Sequence, residues 1–171
     1  MLDVSLWCEF MTDEIEIYEC RVKDIDDSVK ELWLGLVHEM FEIEGFIVPS
    51  ERNGGRWVRF VREGLASGRN FLLVAKNRNR LVGFACASVP HDYPLDVSEF
   101  VGLIDDVYVL PEFRGRGIGK RLVVESLKKM KDKGVNTVRL TVLTENKTAI
   151  KLYEELGFRI YRYGMTKSLE H

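Results

Sequence analysis

The chain has 171 residues, 46% of them hydrophobic, and a formal net charge of −2. That supports one domain with an ample core and supplies no global basic field for nucleic acid. No apolar run reaches the roughly 18 residues of a membrane span, and no secretory signal pattern opens the chain. Cys8, Cys20 and Cys86 are odd in number, widely spaced and without a CxxC. That argues for a reduced, cytoplasmic protein with buried thiols and against a disulfide or zinc framework, so no metal is expected.

The first segment, Met1–Met11, precedes any convincing strand, and Met11-Thr-Asp-Glu would be an ordinary start. Residues 1–14 therefore read as a leader, either an over-long start or a short ordered segment. Leu169-Glu-His171 reads as a tag remnant, which leaves 15–168 as a single domain. Ile15–Val22 alternates as a strand. Val29, Leu32, Trp33, Leu36, Val37, Met40 and Phe41 recur at helical spacing after an acidic start at Asp24–Asp27, and that helix ends near Glu44-Gly45. Phe46–Gly55 reads as a loop because of Pro49 and Asn53-Gly54-Gly55. Trp57, Phe60, Val61 and Leu65 mark a second amphipathic helix, stopping at Ser67-Gly68.

Phe71–Lys76 and Leu81–Val89 flank the turn Asn77–Arg80 and form a hairpin. Phe100–Leu110 is a long strand with Asp105-Asp106 embedded in it. Then comes Val107-Tyr-Val-Leu-Pro-Glu-Phe-Arg-Gly-Arg-Gly-Ile-Gly-Lys120, a strand that ends at Pro111 and a helix that begins at about Gly117. Glycines at 115, 117 and 119 let backbone N–H groups approach a ligand closely. The helix N-terminus favours an anion, and Arg114, Arg116 and Lys120 add positive charge there. This chemistry suits a pyrophosphate. A dinucleotide loop needs G-x-G-x-x-G and a P-loop needs G-x-x-x-x-G-K-[ST]; neither spacing is met.

The loop helix runs to about Lys133, Val138–Leu143 reads as a strand, and Phe158–Leu169 as terminal strand structure. Between them lies Asn146-Lys-Thr-Ala-Ile-Lys-Leu-Tyr-Glu-Glu-Leu-Gly-Phe158. Locally it is a short amphipathic helix with Asn146 as N-cap, Ala149, Ile150, Tyr153 and Leu156 on one face, and Gly157 past its end.

Arg114, Gly117 and Gly119 fit the R-x-x-G-x-G acyl-CoA loop of the GNAT superfamily of N-acetyltransferases. Asn146–Phe158 fits its second signature, N-x-x-A-x-x-[LF]-Y-x-x-x-G-F, about 30 residues further on. The chain thus resembles that superfamily, well over residues 70–168 and by pattern before them. The resemblance implies a layered α/β (α+β) GNAT fold: a mixed, mostly antiparallel central sheet with helices on both faces and element order β-α-α-β-β-β-α-β-α-β. Two parallel strands would splay around acyl-CoA, helped by a bulge placed near Val107–Val109.

It also implies direct transfer of an acetyl group from acetyl-CoA, as cosubstrate, to a primary amine. Cofactor contacts would fall on Val107, Tyr108, Val109, Arg114, Gly115, Arg116, Gly117, Ile118, Gly119, Lys120 and Asn146. Tyr153 would protonate the leaving thiolate, its bland alternative being a core aromatic. Asp105 shares the parity of Leu103, Val107 and Val109 and so is preferred over Asp106 as base; both could instead simply bind backbone N–H groups or cations. The amine, on a small molecule or a protein, would meet a wall holding His38, Glu39, Glu42, Glu44 and Arg52, whose acids fit a cationic acceptor or a solvated helix face. Tyr161 and Tyr163 either line that site or pack in the sheet. Neither membrane nor nucleic acid is an expected partner, and a homodimer is allowed. The alternatives are an acyl-CoA-binding regulatory module of the same fold, and an acyltransferase with a longer donor.

Overall fold

A computed structural model describes residues 15–89 and 100–169. The chain divides into two compact units, Met1–Thr141 and Val142–His171. The expected leader and the tag remnant at 170–171 lie outside the described residues.

The first unit is built on a five-stranded sheet: β1 (Ile15–Glu19), β2 (Asn70–Asn77), β3 (Arg80–Ser88), β4 (Val101–Val109) and β5 (Thr137–Leu140). The strands lie side by side in chain order. Neighbours are antiparallel except β4 and β5, which run parallel. The β2–β3 hairpin closes with Asn77 opposite Arg80 and Arg78 at a positive φ of 52°, as a tight two-residue turn demands.

Three helices complete this unit: α1 (Asp27–Glu44), α2 (Glu51–Ala66) and α3 (Ile118–Asp132). Asp26 caps α1 by accepting from the N–H groups of Ser28 and Val29, which satisfies donors a helix start leaves orphaned. Side chains on a strand alternate between faces. Leu72, Val74, Phe84 and Cys86 accordingly join Val29, Leu32, Trp33 and Val37 of α1 and Trp57 and Val61 of α2 in one buried core. The intervening Phe71 turns to the other face, where Lys129 of α3 sits over its ring. The first core is keyed by aromatics. Trp33 and Trp57 stack at 5.3 Å, and Trp57 meets Phe84 edge-on at 5.6 Å.

Four expectations need correction. Asn53-Gly54-Gly55 is not loop but the first turns of α2, whose N-cap Ser50 accepts from the Asn53 N–H. Packing overrides the turn propensity here, because Gly54 lies against Lys30 and Leu34 of α1 with no room to spare. Strands β1 and β5 stop earlier than the alternation suggested, at Glu19 and Leu140. The bulge is not at Val107–Val109. The β3–β4 register jumps between Cys86 opposite Asp106 and Ala87 opposite Ile104, so Asp105 is the extra residue. Residues 158–169 carry no strand. Among the described residues of the second unit there is no strand that could supply a ladder to this segment.

That second unit holds α4 (Lys147–Glu155). Asn146 Oδ1 caps it by accepting from the Ala149 N–H at 3.0 Å. Gly157 takes φ 87° beyond its C-terminal end, and the Phe158 N–H returns to the Tyr153 carbonyl at 3.0 Å. The Tyr153 and Phe158 rings meet edge-on at 5.8 Å.

Two glycine substitutions test this reading of the helices and sheet. A Cβ at Gly55 would meet nothing within 4 Å, so Gly55→Ala should raise unfolding stability by about 0.5–1 kcal/mol. A Cβ at Gly83 would sit 2.7 Å from the Tyr108 carbonyl oxygen, and Gly83→Ala should lower stability by roughly 1–3 kcal/mol. Denaturant melts decide both, and a Gly55→Ala variant that loses stability would return 53–55 to loop.

Candidate active site

Strand β4 has a partner on each side only over its first half. Val101–Ile104 pair with Thr137–Leu140 of β5, and the pairing stops there. From Asp106 to Val109 the strand keeps only β3. The backbone edge that would face β5 is therefore left without a strand partner among the described residues. The bulge at Asp105 is the local cause, since an extra residue bends its strand and ends pairing.

The bulge also decides where the two carboxylates point. Asp106 sits opposite Cys86 and accepts from Trp57 Nε1 at 3.1 Å, so it turns into the aromatic core. Burial pushes its carboxyl upward, and hydrogen bonds from Trp57 and Trp33 oppose that. Asp105 accepts from Ser88 Oγ at 3.1 Å. Desolvation, with a smaller push from the Asp106 charge, raises it to about 6 against the pull of Ser88. Because of the extra residue, Leu103, opposite Ser88, and Val107, opposite Ala85, fall on opposite faces of the sheet, so Asp105 cannot share the parity of Leu103 and of Val107 and Val109 together. Asp106 is held in the core by Trp57, whereas Asp105 is only partly withdrawn from solvent and is the more accessible of the two carboxylates.

Past β4 the chain makes a single 3₁₀ turn at Pro111–Phe113 and enters the glycine loop. Gly115 and Gly117 hold φ of 75° and 74° with open space where a Cβ would stand. Only glycine occupies that left-handed region at no steric cost. Gly117 is the N-cap of α3 and, having no side chain, provides no capping acceptor. The first-turn N–H groups of Ile118, Gly119 and Lys120 thus begin a helix whose dipole favours an anion. Phe113 lies between two guanidinium groups, Arg80 at 5.6 Å and Arg116 at 5.1 Å. Arg80 also pairs with Glu112 at 2.8 Å, and Arg116 donates to the Glu112 carbonyl at 3.2 Å. These residues fit a pyrophosphate.

Arg114 is placed otherwise than the loop pattern suggested. Its Nε donates to the Val109 carbonyl at 2.8 Å, its Nη2 to Glu39 Oε1 at 2.6 Å, and its guanidinium covers the Tyr108 ring at 5.4 Å. Tyr108 Oη donates to the same Glu39 oxygen at 3.4 Å. Beside this cluster opens a pocket of about 510 Å³ lined by Leu34, Gly35, His38, Glu39, Pro49, Ser50, Glu51 and Tyr108. Of the expected acidic wall only Glu39 reaches it. Glu42 lies 3.7 Å from His38, and Glu42 and Glu44 are exposed. Glu51 was not foreseen, because 46–55 was read as loop; it is paired with Lys30 at 2.8 Å.

In the second unit, Asn146 spends its carbonyl on capping α4, and burial raises the Tyr153 phenol above its usual range. Tyr161 and Tyr163 are exposed, outside any sheet.

The raised Asp105 carboxyl carries a stability signature. Its folded value, about 6, lies above that of an unfolded Asp, near 3.9. The native state therefore holds the proton longer, and stability falls as pH climbs from about 4 to 6. Subtracting the melting profile of Asp105→Asn from that of the unaltered protein should isolate a decline over that window. A flat difference would show that the carboxyl is not perturbed.

Over 56 residues the chain is 45% identical to thialysine N-epsilon-acetyltransferase of Sus scrofa, covering 33% of each. Over 89 residues it is 37% identical to mycothiol acetyltransferase of Paenarthrobacter aurescens, covering 52% of this chain and 27% of that one. The chain thus spans a third or less of the length of these curated relatives. Among solved structures, an acetyl-CoA complex of a predicted acetyltransferase from Clostridium acetobutylicum superposes with a TM-score of 0.69. It is 18% identical and covers 91% of this chain and 97% of that one, a likeness of fold. Residues 31–158 match the Acetyltransferase (GNAT) family, and the chain belongs to that family.

Proposed function

We propose that this protein transfers an acetyl group from acetyl-CoA to a primary amine by direct attack in a ternary complex. The observation that carries the reading is the parting of β4 from β5 after Ile104, next to a helix α3 that starts without a capping side chain. The acetyl-CoA complex of the Clostridium acetobutylicum neighbour and the thialysine acetylation in the name of the Sus scrofa relative support donor and acceptor class. Three widely spaced cysteines are the ground for placing the reaction in the cytoplasm.

Acetyl-CoA supplies the activated thioester when bound. The N–H groups at Ile118–Lys120, with Arg116 and Lys120, hold the anionic pyrophosphate. The unpartnered edge of Val107–Val109 offers backbone donors to the pantetheine arm and to the carbonyl oxygen as charge develops on it. Asp105, poised near 6, takes the proton released as the amine nitrogen bonds to the carbonyl carbon; an Asp is short, and a water relays it. Tyr153, assigned from the family signature, gives its phenolic proton to the sulfur as the C–S bond breaks. Its raised value keeps that proton in place at neutral pH.

A thiol-release assay with acetyl-CoA and a panel of amines tests the reading. Amine-dependent release is expected. Binding of CoA with no release for any amine would point to a regulatory module, and release with succinyl but not acetyl donors to a longer-chain enzyme. Tyr153→Phe should cut kcat by about 10²–10⁴-fold with acetyl-CoA affinity kept. In the unaltered protein kcat/KM should rise with pH through about 6 as Asp105 ionises. Asp105→Asn should remove that limb, and a limb that persists would exclude Asp105 as the base.

A further inference from the structure

Arg114 begins the acyl-CoA loop motif, yet its guanidinium is turned back toward α1. Two hydrogen bonds and a cation–π contact hold it there: to the Val109 carbonyl at 2.8 Å, to Glu39 Oε1 at 2.6 Å, and over the Tyr108 ring at 5.4 Å from its centroid. The fit around Tyr108 is tight. A Cβ on Gly35 would lie 2.7 Å from the phenol oxygen, so α1 needs a glycine there for the hydroxyl to reach Glu39. One carboxylate oxygen therefore collects both donors, Arg114 Nη2 and Tyr108 Oη. Glu39 Oε2 has no protein partner among the described residues. Glu39, Gly35 and Tyr108 all line the 510 Å³ pocket. The other carboxylate of that lining, Glu51, is engaged by Lys30.

We infer that Arg114 is a positioning residue for the acceptor rather than a phosphate ligand: with Tyr108 it fixes Glu39, whose free oxygen binds a second ammonium group on the amine substrate. This rests on the amine-acetyltransferase reading and names its acceptor class, a small diamine or an amino compound with a second cationic nitrogen. A charge-assisted bond to a carboxylate fixed on one side is directional, whereas an unanchored surface glutamate would offer only a screened attraction. A site built around such a bond also discriminates against the analogue that lacks the donor, because the carboxylate is then left unmatched.

The experiment pairs 1,5-diaminopentane with pentylamine, equal in chain length and differing by one ammonium. It uses the full chain and the variants Glu39→Gln, Arg114→Gln and Tyr108→Phe, with circular dichroism to show that each folds. The unaltered protein should favour the diamine in kcat/KM by about 10–100-fold, the worth of one charged hydrogen bond. Glu39→Gln should erase the preference through KM for the amine. Arg114→Gln should reduce it, and combining the two should cost no more than Glu39→Gln alone. CoA affinity measured by calorimetry should stay within about threefold in all of them. Loss of CoA affinity in Arg114→Gln but not in Glu39→Gln would make Arg114 a phosphate ligand and overturn the inference. An unchanged diamine preference in Glu39→Gln would overturn it equally. A protein that binds CoA and acetylates neither amine would overturn the acceptor assignment and leave the cofactor site standing; one that binds no CoA would overturn both.

Discussion

One extra residue in β4 organises the first unit. Asp105 has no counterpart on β3, and beyond it β4 has no contact with β5 as a strand partner. The hydrogen bond from Trp57 Nε1 to Asp106 fixes the bend from the core side. It ties α2, whose Glu51 lines the 510 Å³ pocket, to the point where the sheet opens. A buried carboxylate is costly without such donors, so the stacked Trp33–Trp57 pair serves two ends. It fills the core with aromatic area and supplies the N–H that lets Asp106 stay there.

The charges near the opening are organised in layers. The loop carries Arg114, Arg116 and Lys120, but the groups are not equivalent. Arg116 belongs with Phe113, Glu112 and Arg80 at the outer turn. Arg114 belongs with Glu39 and Tyr108 on the side of α1. The backbone donors at the start of α3 follow Gly117 in the same loop. The backbone dipoles at the start of α3 are fixed by the helix and cost no side-chain entropy to hold. The guanidinium groups of Arg114 and Arg116 also lie over the rings of Tyr108 and Phe113.

Much of this was legible in the sequence for physical reasons. The loop from Arg114 to Lys120 shows itself because left-handed turns require glycine, and the helix at Asn146 because capping has a chemical vocabulary. The apolar repeat of α1 marked its buried face. Three features were hidden. Asn53-Gly54-Gly55 carries turn chemistry, and only contact with Lys30 and Leu34 makes it helix. The bulge breaks a period-two count that assumes it absent. The bond between Glu39 and Arg114 joins positions 75 apart, a separation at which no local pattern carries information. Strand structure over 158–169 was overread because β-prone residues there lack a ladder within their own unit.

Cys86 gives this architecture a chemical reporter. Its thiol is fully buried, unpaired, and opposite Asp106 at the register jump. Burial and the two neighbouring carboxylates hold it well above the ordinary thiol range, so in the closed protein it is neither exposed nor ionised, and a thiolate is what alkylating reagents attack. Reaction can proceed only while the strands around the bulge separate. In a chain with Cys8 and Cys20 replaced by serine, the alkylation rate measures how often the sheet opens at the register jump between β3 and β4. It counts openings of β3 from β4 on the native protein, without denaturant and without any ligand.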